Sequence, residues 1–167
     1  MKLSATILAA GASKRMGDLN KLLLQIDNKP IIYSVCKTAL GSKLDQIILV
    51  TGYQSKEVLK VVPKDIIQVV QNHDWKKGMM TSIFAGMSKL KKNIDGNIII
   101  LGDMPFISAE TIIHLKGEFE DSNGQSIVYP IYQDRQANPV IFPKKYFSEI
   151  LMSKGDKGCK RVLKKYP

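Results

Sequence analysis

The sequence predicts an α/β domain of three layers, αβα, built on a mostly parallel sheet. Three observations carry that reading. Apolar, strand-like runs fall at residues 3–10, 46–51, 66–71, 97–102 and 126–132, and segments with helical spacing separate them. The runs Ile47-Ile48-Leu49-Val50 and Ile98-Ile99-Ile100-Leu101 are continuously apolar, as parallel strands buried on both faces are. Strands that alternate with helices imply right-handed crossovers, which place helices on both sides of the sheet.

Each element has its own signal. The first run closes with Ile7-Leu8-Ala9-Ala10 and stops at Gly11. Pro30 suits a first helical position, where a missing N–H costs nothing. Ile32, Val35, Cys36, Ala39 and Leu40 then recur on one helical face. Ser55 is placed to cap a short helix carrying Val58, Leu59 and Val62. Met80, Ile83, Phe84, Met87 and Leu90 form a third amphipathic face, and Ser108 is placed to cap a fourth helix carrying Ile112, Ile113 and Leu115. Residues 121–125, polar and containing Gly124, read as a loop. In an open sheet of this kind ligands bind at the carboxyl ends of the strands, near the switch in strand order. That rule sets Gly11, Gly52, Asn72, Gly102 and Asp103 along one edge.

Composition narrows the class. The 167 residues suit one domain, 1–167, with 44% apolar and 24% charged residues and no repeat or linker. The first run is too short to span a membrane, and nothing reads as a signal peptide. Cys36 and Cys159 fit no metal spacing or disulfide framework, so they read as small apolar residues of a cytoplasmic protein. The net charge of +10 is almost all lysine, with arginine only at Arg15, Arg135 and Arg161. Aromatic residues do not interleave with the cations, which argues against nucleic acid. Two readings of the charge remain: a lysine-rich solvated surface, or a positive field that steers anionic ligands.

The residues from Gly11 to Lys21 point to phosphate. Small side chains let the backbone present its N–H groups to phosphate oxygens, and Lys14, Arg15 and Lys21 add positive charge around them. The spacing matches neither the P-loop nor Gly-x-Gly-x-x-Gly. Asp103, directly after the most apolar strand, either caps a turn before Pro105 or Ser108 or carries a divalent cation. The segment from Asn72 through Trp75 to Ser82 leaves a strand and opens a helix. It is either a helix start offered to sugar or anionic groups, or a cap with a packing tryptophan. His73 and His114 read as surface or packing residues.

Several motifs occur in order along nearly the whole chain. They are Leu8-Ala9-Ala10-Gly11 with Arg15-Met16-Gly17, Asn20-Lys21-Leu22-Leu23, and Lys29-Pro30-Ile31. Next come Asn72, Trp75-x-x-Gly78-Met79-x-x-Ser82 with Ala85-Gly86, and Gly102-Asp103-Met104-Pro105. Asn138-Pro139-Val140-x-Phe142 and Gly155-Asp156-x-Gly158 close the series. Together they resemble the MobA-like NTP transferases, above all the molybdenum cofactor cytidylyltransferase branch.

The resemblance implies a Rossmann-like sheet of the nucleotide-diphospho-sugar transferase type. It also implies transfer of a nucleoside monophosphate from its triphosphate to a phosphate on an acceptor, with release of pyrophosphate. Leu8, Ala9, Ala10, Gly11, Asn72, Ser82 and Gly102 would form the nucleotide site. Lys14, Arg15 and Lys21 would neutralise the triphosphate, and Asp103 would ligate Mg²⁺. Arg15, Lys21 and Asp103 are thus the expected catalytic set. The acceptor would be molybdopterin or its metal-bearing form, met by Arg135 and Asn138; Lys157, Lys160 and Arg161 either join them or form a solvated tail helix. The product would pass to a molybdoenzyme or its chaperone. The guanylyl branch resembles Leu-Ala-Gly-Gly at the loop, so Ala10, whose methyl narrows the space beside the base, favours CTP over GTP.

Members of the family usually carry a further strand and an acidic segment beyond the last residues of this sequence. In the family that acidic segment can supply a second carboxylate at the metal; either this sequence is short there or another group takes the place, with Asp156 and Asn138 as candidates. Two alternatives share the same loop and Asp103: a sugar- or polyol-phosphate nucleotidyltransferase, and a nucleotide-binding module without turnover.

Overall fold

The chain alternates strand and helix as its apolar periodicity requires. The structure, a computed structural model, describes residues 1–12, 17, 19–66, 68–153 and 158–166. Strand β1 (Leu3–Ala9) leads through a 3-10 turn (Lys21–Leu23) and a small hairpin, β2 (Gln25–Ile26) and β3 (Lys29–Pro30), into helix α1 (Ile31–Gly41). There follow β4 (Gln46–Thr51), α2 (Ser55–Val61), β5 (Val69–Gln71), a second 3-10 turn (Trp75–Lys77) and α3 (Met79–Met87). Next come β6 (Gly96–Leu101), α4 (Ala109–Asp121), the hairpin β7 (Ile131–Tyr132) and β8 (Arg135–Gln136), and β9 (Val140–Pro143). Helices α5 (Phe147–Met152) and α6 (Gly158–Lys165) complete the order.

The main sheet runs β5-β4-β1-β6-β9, with β9 antiparallel and the others parallel. Strand β1 lies between β4 and β6, and in register Ala9 stands beside Thr51 and Leu8 beside Leu101. The chain winds outward from β1 in both directions, so the crevice between β1 and β6 is the topological switch point.

Alternation along β1 builds the three layers. Leu3, Ala5, Ile7 and Ala9 face a core completed by α1, α2 and α4 through Ile32, Val35, Val58, Ile112, Leu115 and Phe119. On the opposite side α3, α5 and α6 enclose Met80, Ile83, Ile99, Phe142, Ile150 and Val162. That face is partly polar: the Ser4 and Thr6 hydroxyls donate to Asn97 Oδ1 at 2.8 and 3.1 Å. Helix α3 comes close above them, because a side chain at Gly86 would run into Thr6 and Val50.

Local chemistry explains the helix ends. Ser108 caps α4, accepting the Thr111 N–H at 3.1 Å. Pro30 stands just before α1, whose buried face is Ile31, Ile32, Val35, Cys36 and Ala39. Ser55 is the first residue of α2 rather than its cap; its hydroxyl bonds Thr51 Oγ1 at 2.8 Å, and Gln54 precedes it in the left-handed region. Phe84 points outward from α3, and Ile113 outward from α4, where Phe119 takes the core position.

One expected strand differs. Residues 126–132 supply only a single bridge, Val128 to Ile141, and the first strand of the β7–β8 hairpin. Pro130 has no N–H to extend a ladder, and its carbonyl instead accepts Ala137 N–H at 2.9 Å, closing the hairpin. The fifth strand is β9, a four-residue apolar run buried throughout and antiparallel to β6.

Candidate active site

The site begins with a glycine that the fold itself requires. Gly102 follows β6 and donates its N–H to the Leu8 carbonyl at 2.9 Å. A Cβ there would stand 2.7 Å from that oxygen and 3.1 Å from Ile32 Cδ1. Only glycine lets the end of β6 lie this close to β1, and Asp103 comes next, exposed at the switch point. At Gly11, by contrast, a Cβ would meet no atom of the described residues within 4 Å. Packing among those residues therefore makes no demand for a glycine there, and the open backbone faces a cleft.

Lys21 reaches the same place from the 3-10 turn. Asn20 caps that turn by accepting the Leu22 N–H at 3.1 Å, and Leu22 is buried in the core below. The anchored turn carries Lys21 to 3.2 Å from Asp103 Oδ2, an ion pair about 40% exposed on both sides, at 42% and 43%. The cleft beside it has a volume of about 410 Å³ and is lined by Leu8, Ala10, Gly11, Ala12, Leu22, Trp75, Lys76, Gly78, Met79, Ser82, Leu101 and Asp103.

The opposite wall is held by Asn72. Its backbone N–H donates to the Thr51 carbonyl at 2.7 Å, and its Oδ1 accepts the Asp74 N–H at 2.9 Å. Its amide nitrogen reaches Thr81 Oγ1 at 2.8 Å and Ser82 Oγ at 2.9 Å. Asn72 thus ties the end of β5 to the first turn of α3. Trp75, at the start of the 3-10 turn between them, packs its ring against Tyr53 with centroids 5.4 Å apart.

The expected residues fall into distinct places. Leu8, Ala10, Gly11, Ser82 and Asp103 line one cleft together, with Lys21 paired to Asp103 at its edge. Ala9 points into the core and Gly102 is buried behind the cleft. Asn72 is buried and lines a neighbouring cavity of about 500 Å³ instead. Lys14 and Arg15, together with Asp156 and Lys157, lie outside the described residues.

A further cavity, of about 400 Å³, adjoins the cleft and shares Met79 and Leu101 with it. Its lining includes Asn138 and Gln136, Lys160 and Lys164, and the apolar Ile99, Val140 and Phe142. Arg135 sits next to Gln136 on the exposed hairpin, and neither it nor Arg161 is among the lining residues. Cys159 also lines the cavity, and burial pushes its thiol up to about 12. Among the described residues no group of three or more His, Cys, Asp or Glu is placed to hold a metal ion. No helix among them is long and apolar enough to cross a membrane.

Met79, Leu101 and Lys164 carry no site role in the sequence reading, since they become neighbours only when α3, β6 and α6 are packed. Trp75 lay in a recognised motif, but only the contact among Ala10, Gly52 and Trp75 brings it to the cleft.

Comparison with known proteins places the chain among relatives. Bifunctional protein GlmU of Thermosipho melanesiensis is 36% identical over 118 residues, 70% of this chain, and the chain spans only 25% of that protein's length. A probable molybdenum cofactor guanylyltransferase of Methanosarcina mazei is 30% identical over 88% of this chain and 66% of its own. Nicotine blue oxidoreductase of Paenarthrobacter nicotinovorans is 25% identical over 98% of this chain and 82% of its own. Among solved structures, Rv0371C of Mycobacterium tuberculosis H37Rv in complex with manganese superposes with a TM-score of 0.83 at 22% identity, covering 100% of this chain and 85% of that one. The architecture is that of the nucleotide-diphospho-sugar transferase fold. The model of the MobA-like NTP transferase domain matches residues 5–167, and the chain belongs to that family.

Proposed function

We propose that this protein is a nucleotidyltransferase that moves CMP from CTP to the phosphate of a molybdopterin-type acceptor. The observation that carries the reading is Gly11: a glycine that no packing among the described residues requires, opening onto a cleft that also holds Asp103, with Lys21 paired to Asp103 at its edge. Family membership and the guanylyltransferase relative support the same chemistry.

In the reaction an oxygen of the acceptor phosphate bonds to the α-phosphorus of the nucleotide. The bond from that phosphorus to the bridging oxygen breaks, and pyrophosphate leaves with the electron pair. Such a transfer needs positioning and charge stabilisation rather than a covalent protein nucleophile. The backbone around Ala10 and Gly11 would cradle the nucleotide. Lys21 would turn from Asp103 to the phosphates, with Lys14 and Arg15 supplying further cations.

The donor set fits Mg²⁺. Magnesium is commonly held by one or two carboxylates together with substrate phosphates, and Asp103 provides one exposed carboxylate at the cleft. When bound there, the ion would supply Lewis-acid stabilisation of phosphate charge. The manganese in the Rv0371C crystal structure supports a divalent ion in this fold.

The adjoining cavity is the proposed acceptor site. Asn138 would contact the acceptor there, with Arg135 on the neighbouring hairpin position. Lys160 and Lys164, one turn apart on α6, give it a positive wall suited to a phosphorylated ligand. Ala10 lines the nucleotide cleft, where its methyl would narrow the space beside the base and favour a pyrimidine. The likeness to a guanylyltransferase favours GTP as the second reading.

The test is pyrophosphate release with Mg²⁺, molybdopterin and each of CTP, GTP, ATP and UTP, beside Asp103→Ala. Turnover with CTP that disappears in the variant is the expected result. Preference for GTP would select the second reading, and nucleotide binding without turnover would overturn molybdopterin as acceptor.

A further inference from the structure

Resting on the nucleotide site just described, we infer that Trp75 is the platform on which the nucleobase stacks, so that the cleft recognises nucleoside triphosphates through their base as well as their phosphates. Three strand ends converge on this residue. At Gly52, after β4, a Cβ would stand 2.8 Å from Ala10 Cβ and 2.9 Å from both the Ala10 carbonyl oxygen and Trp75 Cβ. The absent side chain lets Trp75 close directly on the nucleotide loop, and Tyr53 N–H holds the Ala10 carbonyl at 3.0 Å.

The indole is fixed but not covered. Tyr53 braces it at 5.4 Å with the rings inclined by 57°, while the residue as a whole remains only half-buried beside the cleft. The Nζ of Lys76, an exposed side chain, lies 5.5 Å from the ring centroid. An ammonium in that position marks a ring face that solvent reaches, and a base that stacks there would exchange a cation–π contact for a stacking one. Gly11 and Gly78 line the same cleft, whose volume is about 410 Å³. Asn72 fixes the turn from which the ring departs, through its bonds to Asp74, Thr81 and Ser82. Stacking tolerates every base, so this platform supplies affinity while the space beside Ala10 discriminates between bases.

Trp75 is the only tryptophan of the sequence, so its fluorescence reports on the contact directly. CTP, GTP and inorganic tripolyphosphate, each with Mg²⁺, would be titrated into the wild-type protein, Trp75→Phe and Trp75→Ala. Fluorescence follows the wild type and calorimetry follows all three proteins. Both nucleotides should quench Trp75 and tripolyphosphate should not. Trp75→Ala should weaken nucleotide binding about tenfold, Trp75→Phe should restore it to within about twofold, and tripolyphosphate should bind all three equally. Nucleotide binding without quenching, or with unchanged affinity in Trp75→Ala, overturns the platform and leaves the proposed function standing. Equal loss of tripolyphosphate binding in Trp75→Ala also overturns it, because the cleft itself would then have collapsed. No binding of either nucleotide to the wild type overturns the proposed function and this inference together.

Discussion

The Lys21 ammonium lies 3.2 Å from the Asp103 carboxylate, bridging the anchored turn after the nucleotide loop to the end of β6. Because both groups are about 40% exposed, at 42% and 43%, the pair adds little to stability. Its consequence is competitive: a divalent cation that binds Asp103 must displace the ammonium, and a triphosphate gives that ammonium another anion to meet. Metal and nucleotide should therefore bind cooperatively. In Lys21→Met, Mn²⁺ without nucleotide should bind roughly tenfold more tightly, while nucleotide should bind more weakly. Manganese paramagnetic resonance and calorimetry measure the two, and weaker Mn²⁺ binding in Lys21→Met would refute the competition.

Two glycines of the site should respond in opposite ways. Gly102→Ala forces a Cβ against the Leu8 carbonyl and should destabilise the fold by about 1–3 kcal/mol. Gly11→Ala meets no atom of the described residues within 4 Å, so its melting temperature should stay unchanged while nucleotide affinity falls. Thermal melts paired with nucleotide titrations separate the two, and a stable Gly11→Ala that binds nucleotide normally would remove Gly11 from the site.

These glycines also show what a sequence can disclose. Ile98 to Leu101 are continuously apolar and end in Gly102-Asp103, so strand, edge and charged residue are all local information. Ser108 is legible as a cap for the same reason. The strand order at the far edge is not local: Val140–Pro143 joins the sheet because β6 offers an apolar partner, while Pro130 interrupts the competing run. Trp75 is equally non-local, since its place depends on Gly52 and Ala10 from two other strand ends.

The buried thiols predict a pH response. Burial pushes Cys36 and Cys159 up to about 12. An unfolded thiol ionises near pH ~8.5, so above that value the folded chain holds protons that the unfolded chain has released. Their contribution to stability is fully present below about pH 8.5 and is lost as pH rises toward 12. The melting temperature should fall above about pH 8.5, less steeply in Cys36→Ala. Cys36, which is fully buried, should react with Ellman's reagent only on unfolding; rapid reaction of the folded Cys159→Ala protein would contradict this.

Asn72 separates a structural clasp from a direct ligand contact. Its side chain makes hydrogen bonds to Thr81, Ser82 and Asp74 while only 5% exposed. Removing it in Asn72→Ala leaves the buried Ser82 hydroxyl without its donor and should cost about 1–3 kcal/mol. The turn that launches Trp75 would loosen as well, so nucleotide affinity should fall in step with stability. Restoring the melting temperature with a stabilising substitution remote from the cleft should then leave part of the affinity loss, because the turn is still unclasped. A melting temperature equal to wild type, with nucleotide binding sharply reduced, would instead make Asn72 a direct contact of the nucleotide.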